Sequence, residues 1–242
     1  MKDLLQALKG RNVLVFLDLE GTQFTQEVIE IGAVKAYLKP DGTIKKKMPG
    51  FRILVKAHAR VGRLVTDLTG ISDEQLKKEG VPYRVALASF KRYVGRDWRR
   101  CLFVTYGNND AAIIKGSEYS NLDAEDADSK TIVRNMWDYE AFVYHYVRDP
   151  NGNVYSLANC LKRFGVPFDG QAHDALADAA NLLSLYEALL ARPDILAQEY
   201  AKALGQKNYH LPEALRHAAE RLSQGESVSP EEFQEDIRKS LL

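Results

Sequence analysis

The sequence contains little cysteine, no net charge and no long apolar run. Two cysteines, Cys101 and Cys160, stand among 242 residues, which excludes a disulfide framework and fits a reducing compartment. The 33 basic and 33 acidic side chains cancel, so net charge by itself indicates no binding partner. The first twelve residues are too rich in charge for a secretory signal, and no apolar run approaches membrane-spanning length. We therefore expect a cytoplasmic protein that does not associate with a membrane.

Charge is nevertheless distributed unevenly along the chain. Nine Lys or Arg accompany one acid, Asp41, between residues 35 and 63, and six accompany Asp97 between residues 84 and 100. Solvated surfaces of mixed charge explain either run when it is taken alone. Two such runs close in sequence predict a surface that binds a polyanion.

The order of strand-like and helix-like segments predicts a mixed-sheet α/β domain. An apolar strand near residues 12–19 precedes two further strands, EVIEIGAVKAYL and FRILVKA, and the short turns between them predict an antiparallel meander. Two later segments, CLFVTY and TIVRNMWDY, read as further strands that alternate with helices. For the second segment the alternative is a helix that continues into residues 140–147. Helices follow the N-cap candidates Ser72, Ser156 and Asp174.

We assign residues 1–191 to the α/β domain. Residues 192–242 have a different, wholly helical pattern. They form a helical C-terminal extension in which Ser229 and Glu232 are spaced as a capping box. No acid, base or nucleophile constellation occurs there. Its apolar stripes include Leu211, Leu215 and Leu222. The extension either packs on the domain or offers a surface to a second copy or a protein partner.

Two carboxylates, Asp18 and Glu20, come at the end of the first apolar strand. Residues i and i+2 of a strand point to the same face, so these side chains lie about 7 Å apart. Two like charges at that distance repel by roughly 2 kcal/mol at an effective dielectric near 20. The pair therefore needs a compensating interaction.

Three further residues stand out for a similar reason. Asp110 follows the apolar segment CLFVTY and the tripeptide GNN, where an aspartate ordinarily caps a helix. Asp178 shares a helical stripe with leucines 182, 185 and 189, and a carboxylate on an apolar face needs a partner. His173 precedes it by five residues, about 140° away on a helix, so the two share a site only if His173 lies on the entering loop. Taken alone, His173 is an ordinary surface histidine.

Together these five residues are typical of a metal-dependent phosphodiester hydrolase. Two divalent cations about 4 Å apart need several carboxylate oxygens, which Mg²⁺ and Mn²⁺ prefer as ligands. We assign Asp18, Glu20, Asp110 and Asp178 as the metal ligands, because the cations would remove the repulsion between these carboxylates. We assign Glu20 to catalysis as well. His173 is then the general base that accepts a proton from the attacking water, because histidine changes charge near neutral pH.

Three motifs, in this order, resemble the DEDDh branch of 3′–5′ exonucleases. Asp18-Leu19-Glu20 matches its D-x-E motif, Tyr106 to Asp110 its aromatic-Gly-x-x-Asp motif, and His173 to Asp178 its His-x4-Asp motif. The branch contains the proofreading subunit of bacterial DNA polymerase III, ribonuclease T and the ERI-type exonucleases. The resemblance covers residues 12–190. It implies a ribonuclease H-like fold, with three antiparallel strands followed by parallel strands and flanked by helices.

The resemblance also implies how substrate is bound. Gly21 and Thr22 fall where backbone and hydroxyl meet the terminal nucleotide, and LTGIS, residues 68–72, resembles the turn that lines the terminal base. The implied substrate-binding residues are Gly21, Thr22, Leu68, Gly70, Ile71 and Asn109. The implied activity removes nucleotides from the 3′ end of single-stranded DNA or RNA as 5′-mononucleotides. Both nucleic acids fit, because the chemistry at the terminal phosphodiester is the same.

Two other functions compete with this interpretation. DLEGT differs by one methylene from the D-x-D-G-T of haloacid dehalogenase-type phosphatases, but the residues after Thr22 read as a strand where that class has a helix. The non-enzymatic alternative is a nucleic-acid-binding module that has lost catalysis. Such modules ordinarily lack at least one ligand, whereas all five positions are filled here.

Overall fold

The computed structural model of the chain describes residues 2–122 and 126–241. Seven strands within these residues form one mixed sheet. They are β1 (Val13–Gly21), β2 (Val28–Leu38), β3 (Ile44–Lys47), β4 (Phe51–Lys56), β5 (Val81–Pro82), β6 (Leu102–Thr105) and β7 (Met136–Asp138). Their order across the sheet is β5-β4-β2-β1-β6-β7, with β3 beside β2.

Strand directions in this sheet confirm the expected fold class. β2 pairs antiparallel with both β1 and β4, whereas β6 runs parallel to β1 and β7 parallel to β6. Four antiparallel strands, β1 to β4, are thus followed by parallel ones, as in a ribonuclease H-like sheet; the short β3 is the strand that the sequence does not predict. The phosphatase alternative is wrong, because an antiparallel strand follows β1 where that class has a helix.

Helices cover both faces of the sheet and continue into the C-terminal extension. Those of the domain are α1 (Lys2–Leu8), α2 (Arg63–Thr69), α3 (Asp73–Glu79), α4 (Tyr83–Val94), α5 (Asn109–Ser120), α6 (Asp126–Arg134), α7 (Tyr139–Tyr144), α8 (Leu157–Arg163) and α9 (Ala175–Ala191). Those of the extension are α10 (Pro193–Leu204), α11 (Glu213–Ser223) and α12 (Pro230–Leu241). The expected side-chain caps begin α3, α8 and α9. Across the described part of the chain, no helix combines the length and the apolar character needed to cross a membrane.

Residues 131–139, expected as one strand, divide between a helix and a short strand. α6 takes the first four of them, β7 takes the next stretch, and α7 begins at Tyr139. Three consecutive β-branched residues, 131–133, favour a strand. However, Ile132 is fully buried in the core and the Thr131 hydroxyl donates to the Ala127 carbonyl one helical turn earlier. Tertiary packing outweighs the local propensity here.

The side chains of β1 alternate between two cores, and this alternation aims the carboxylates. Leu14 and Phe16 pack in the core that contains α9, whereas Val15 packs in the core beneath α4. Asp18 and Glu20 continue the series of Leu14 and Phe16, so they lie on the α9 face of the sheet. Both cysteines are buried free thiols.

The first helix of the C-terminal extension packs on the domain. Leu196 of α10 joins the core that contains α9, and Glu199 forms an ion pair with Arg163 of α8. α11 packs on α10, and α12 packs on α11. Leu215 and Leu222 stay 45% and 57% exposed. The expected capping box begins α12, and the boundary at residue 191 remains a prediction.

Candidate active site

Asp178 reaches the β1 carboxylates because α9 lies directly on the backbone of β2. Asp18 is the register partner of Gly32. A Cβ on Gly32 would lie 2.0 Å from the carbonyl carbon of Ala175, the first residue of α9. Only glycine permits this approach, and the first turn of α9 carries Asp178.

Asp110 is tied to β1 and does not cap its helix. β6 runs parallel to β1, so the chain after β6 emerges beside the end of β1. The Oδ1 atom of Asp110 accepts a hydrogen bond of 2.9 Å from the backbone N–H of Leu19. The N-cap position of α5 belongs to Asn108, whose side chain makes no capping bond. The capping role considered for Asp110 is therefore wrong.

His173 lies on the loop before α9, as the spacing to Asp178 requires. Its backbone is left-handed, with φ at 65°, and its N–H donates to Asp178 Oδ2 at 2.8 Å. Asp174 then caps α9 by accepting the Ala177 N–H. Ligand atoms of Glu20, His173 and Asp178 all lie within 4.8 Å of one another.

One cleft of about 410 Å³ collects all five predicted residues. Its walls also include Ser156, predicted only as a helix cap, and residues that the sequence did not single out, namely Leu157, Ala158, Phe168 and Ala172. The last four come from α8 and from the loop before α9, and no local pattern marks them. The tertiary structure brings them to the cleft.

The four carboxylates have raised pKa values. Burial raises the pKa of Asp18 well above its usual range, and Asp110, Glu20 and Asp178 add to the effect. Burial, followed by Asp178, raises the pKa of Glu20 to about 8. The pKa of Asp110 rises to about 7, because burial outweighs the backbone hydrogen bonds that its carboxylate accepts. Burial also raises the pKa of Asp178. Ionising the cluster is therefore costly unless positive charge compensates it.

The structure describes all six residues that are predicted to bind substrate. Asn109 is the only one of the six that lines this cleft. Thr22 is buried, and its hydroxyl bonds to Thr25 Oγ1 and accepts the Glu27 N–H within the loop after β1. Leu68 is exposed at the end of α2, whereas Ile71 is buried in a small core. Gly70 is left-handed and ends α2, and Gly21 closes β1 against α5. Their roles in substrate binding stay predictions.

Two parts of the first basic run, Lys35 and the lysines of β3, lie away from the carboxylates. Lys35 is buried and bonds to the Val94 carbonyl and to Asp97, so its assignment to a polyanion surface is wrong. Lys35 lies opposite Val15 in the pairing of β1 with β2. β3 pairs with the part of β2 that follows Lys35, so its lysines lie near the start of β1 and away from Asp18. Residues 60–63 lie nearer, because the Val61 carbonyl accepts the N–H of Gln23, just after β1.

Comparisons with known proteins agree with this fold. The model of the RNase T-type family, described as Exonuclease, matches residues 15–186. The 3′-5′ exonuclease Snipper of Drosophila melanogaster is 27% identical over 205 residues, which cover 74% of this chain and 69% of Snipper.

Solved structures of exonucleases share the fold at low identity. A full-length 3′-exonuclease has a TM-score of 0.59 and 16% identity over 76% of this chain, which spans only 62% of that protein. The nuclease domain of 3′hExo, a DEDDh family member bound to rAMP, has a TM-score of 0.57 and 15% identity, covering 75% of this chain and 93% of that domain. Escherichia coli exonuclease I in complex with dA16 has a TM-score of 0.57 and 17% identity, covering 82% of this chain and 45% of that protein.

The family match covers more than half of the chain and contains all five residues of the cleft. The chain therefore belongs to the RNase T-type exonuclease family.

Proposed function

We propose that the protein removes single nucleotides from the free 3′ end of single-stranded DNA or RNA and releases 5′-monophosphates. The observation that carries this proposal is the convergence of four carboxylates and His173 on one cleft, from β1, α5 and the start of α9. The carboxylates repel one another there, so the site suits a cationic cofactor bound by oxygen.

The donor set fits two divalent cations, Mg²⁺ or Mn²⁺. Asp18, Glu20, Asp110 and Asp178 offer only carboxylate oxygen, which these hard cations prefer to nitrogen or sulfur. When bound, such a pair activates a water and stabilises the leaving 3′ oxygen of a phosphodiester.

The chain's own residues orient the ligands and move the proton. The Leu19 N–H fixes Asp110, and the His173 N–H fixes Asp178, so two ligands are held by backbone donors. The His173 side chain is exposed at the cleft, where its imidazole can accept a proton from the attacking water. Exposed Arg60 and Arg63, beside the end of β1, are suited to contact backbone phosphates, so affinity should fall with salt.

The substrate class rests on the relatives as well as on the cleft. 3′hExo was solved with rAMP, and exonuclease I with dA16. A ribonucleotide and a deoxynucleotide thus bind proteins of this fold, so we include both RNA and DNA. Release of 5′-monophosphates follows if the 3′ oxygen leaves and the phosphate stays on the released nucleotide.

The test uses one 5′-labelled oligomer in three forms: linear, circular and 3′-phosphorylated. With Mg²⁺, the linear form should shorten one nucleotide at a time, while the circular and blocked forms should persist. Matched DNA and RNA oligomers measure the preference between the two. Asp18→Asn should release no nucleotide, which controls for contaminating nucleases. Comparable cleavage of the circle would make the protein an endonuclease and contradict the proposal.

A further inference from the structure

A fifth carboxylate, Glu30, is buried directly beside the cleft. It lies on β2 as the register partner of Glu20, and it is 0% exposed. A carboxylate within the apolar strand EVIEIGAV loses its hydration and needs a partner, as Asp178 does. The sequence therefore already carries a signal for Glu30. Glu30 does not line the cleft.

Both oxygens of Glu30 are used within the protein. Oε1 accepts from Nε of Arg52 on β4 at 2.5 Å, and Oε2 accepts from the N–H of Ala175 at 3.1 Å. Arg52 also reaches Asp174, the N-cap of α9, with 3.4 Å between Nη2 and Oδ2. Glu30 therefore joins the start of α9 to two strands of the sheet and offers no free oxygen to a metal.

The same turn of α9 carries two residues of the proposed site. His173 directly precedes the N-cap, and Asp178 belongs to the first turn. Gly32 permits the turn to touch β2, but the absence of a side chain does not by itself hold the turn there. Glu30 and Arg52 supply that hold, through a backbone hydrogen bond and an ion pair.

We propose that Glu30 and Arg52 are positioning residues, which set the first turn of α9 so that Asp178 and His173 meet the β1 carboxylates. This inference rests on the proposed function, because it assumes that Asp178 binds metal. Residues that orient metal ligands typically change metal affinity or activity by about 10- to 100-fold when replaced.

The test is Glu30→Gln, with Mn²⁺ binding measured by calorimetry on the intact protein. Glutamine keeps the size but has one acceptor oxygen in place of two, so either Arg52 or the Ala175 N–H loses its partner. We expect about 10- to 100-fold weaker Mn²⁺ binding at one site. We also expect a lower kcat that excess Mn²⁺ partly restores, with KM for the oligomer unchanged.

A matched control exists on the same helix. Glu187, near the far end of α9, pairs with Lys47 of β3 at 2.7 Å, and both side chains reach solvent. Glu187→Gln makes the same chemical change in another helix-to-sheet ion pair, and it should leave Mn²⁺ affinity and kcat at wild-type values. Wild-type Mn²⁺ affinity in Glu30→Gln would overturn the inference.

Two further variants separate the outcomes. Arg52→Gln tests the hold if Glu30→Gln does not fold, because the Arg52 side chain is 47% exposed and tolerates replacement better. It should also weaken Mn²⁺ binding, and unchanged binding would overturn the inference. Asp178→Asn tests the proposed function itself. Wild-type Mn²⁺ binding in Asp178→Asn would refute the ligand assignment, and the inference with it.

Discussion

Without metal, the carboxylate cluster should make the fold less stable as the pH rises. The pKa of Glu20 rises from 4.5 to about 8 in the folded chain. Between these values the folded chain holds a proton that the unfolded chain has released, so stability is highest at low pH and is lost toward pH 8. Each pH unit in this window corresponds to about 1.4 kcal/mol. Glu20 alone should therefore lower the free energy of unfolding by about 3 kcal/mol between pH 5 and pH 7.

Thermal unfolding in EDTA measures this change. For a chain of this size, 1 kcal/mol corresponds to about 2–4 °C in Tm, so we expect Tm to fall by about 6–12 °C from pH 5 to pH 7. The raised pKa values of Asp18, Asp110 and Asp178 act in the same direction. Saturating Mg²⁺ should reverse the fall at pH 7, because it binds the ionised carboxylates of the folded chain only.

Asp18→Asn tests the cause of this pH dependence. It replaces a buried carboxyl group, whose ionisation the fold resists, by an amide of nearly the same volume that does not ionise, so it should raise the metal-free Tm at pH 7 and abolish the stabilisation by Mg²⁺. Asp67→Asn is the control, because Asp67 lies exposed on α2 beside Arg63 and should change neither quantity. A metal-free Tm that stays constant or rises from pH 5 to pH 7 would refute the reasoning. So would a lower Tm in Asp18→Asn at pH 7.

Three further changes test other parts of the site and the chain. His173→Ala should lower kcat by about 10²- to 10⁴-fold because the proton acceptor is lost, while calorimetry shows unchanged Mn²⁺ affinity; lost binding would make His173 a ligand. Gly32→Ala should lower both Tm and kcat, because its methyl group would displace the start of α9, and overpacking of this kind costs about 1–3 kcal/mol; a wild-type rate would contradict that contact. Removal of residues 211–242, which contain α11 and α12, should leave activity unchanged, because α10 retains the packing on the domain. The number of chains per assembly, measured by light scattering, should stay the same as well. A smaller assembly after truncation would place a dimer contact in the removed helices.

Local rules were sufficient for much of this protein. Alternation along β1 put Asp18 and Glu20 on one face, and the five-residue spacing put His173 on the loop before α9. Helix caps, the antiparallel meander and the capping box of α12 follow from short-range chemistry as well. Each of these features depends on atoms a few residues apart, so the sequence alone carries them.

The partner of each buried charge was decided by the tertiary structure. Asp110 looked like a helix cap, but its carboxylate accepts a hydrogen bond from the backbone N–H of Leu19, 91 residues away. Lys35 read as part of a basic surface, yet Asp97 and the end of α4 enclose it. Glu30 lies in an apolar strand and needs a partner, but the sequence does not indicate that this partner is the start of α9. Such partners are brought together by the packing of strands and helices distant in sequence, and no local pattern specifies which of them will meet.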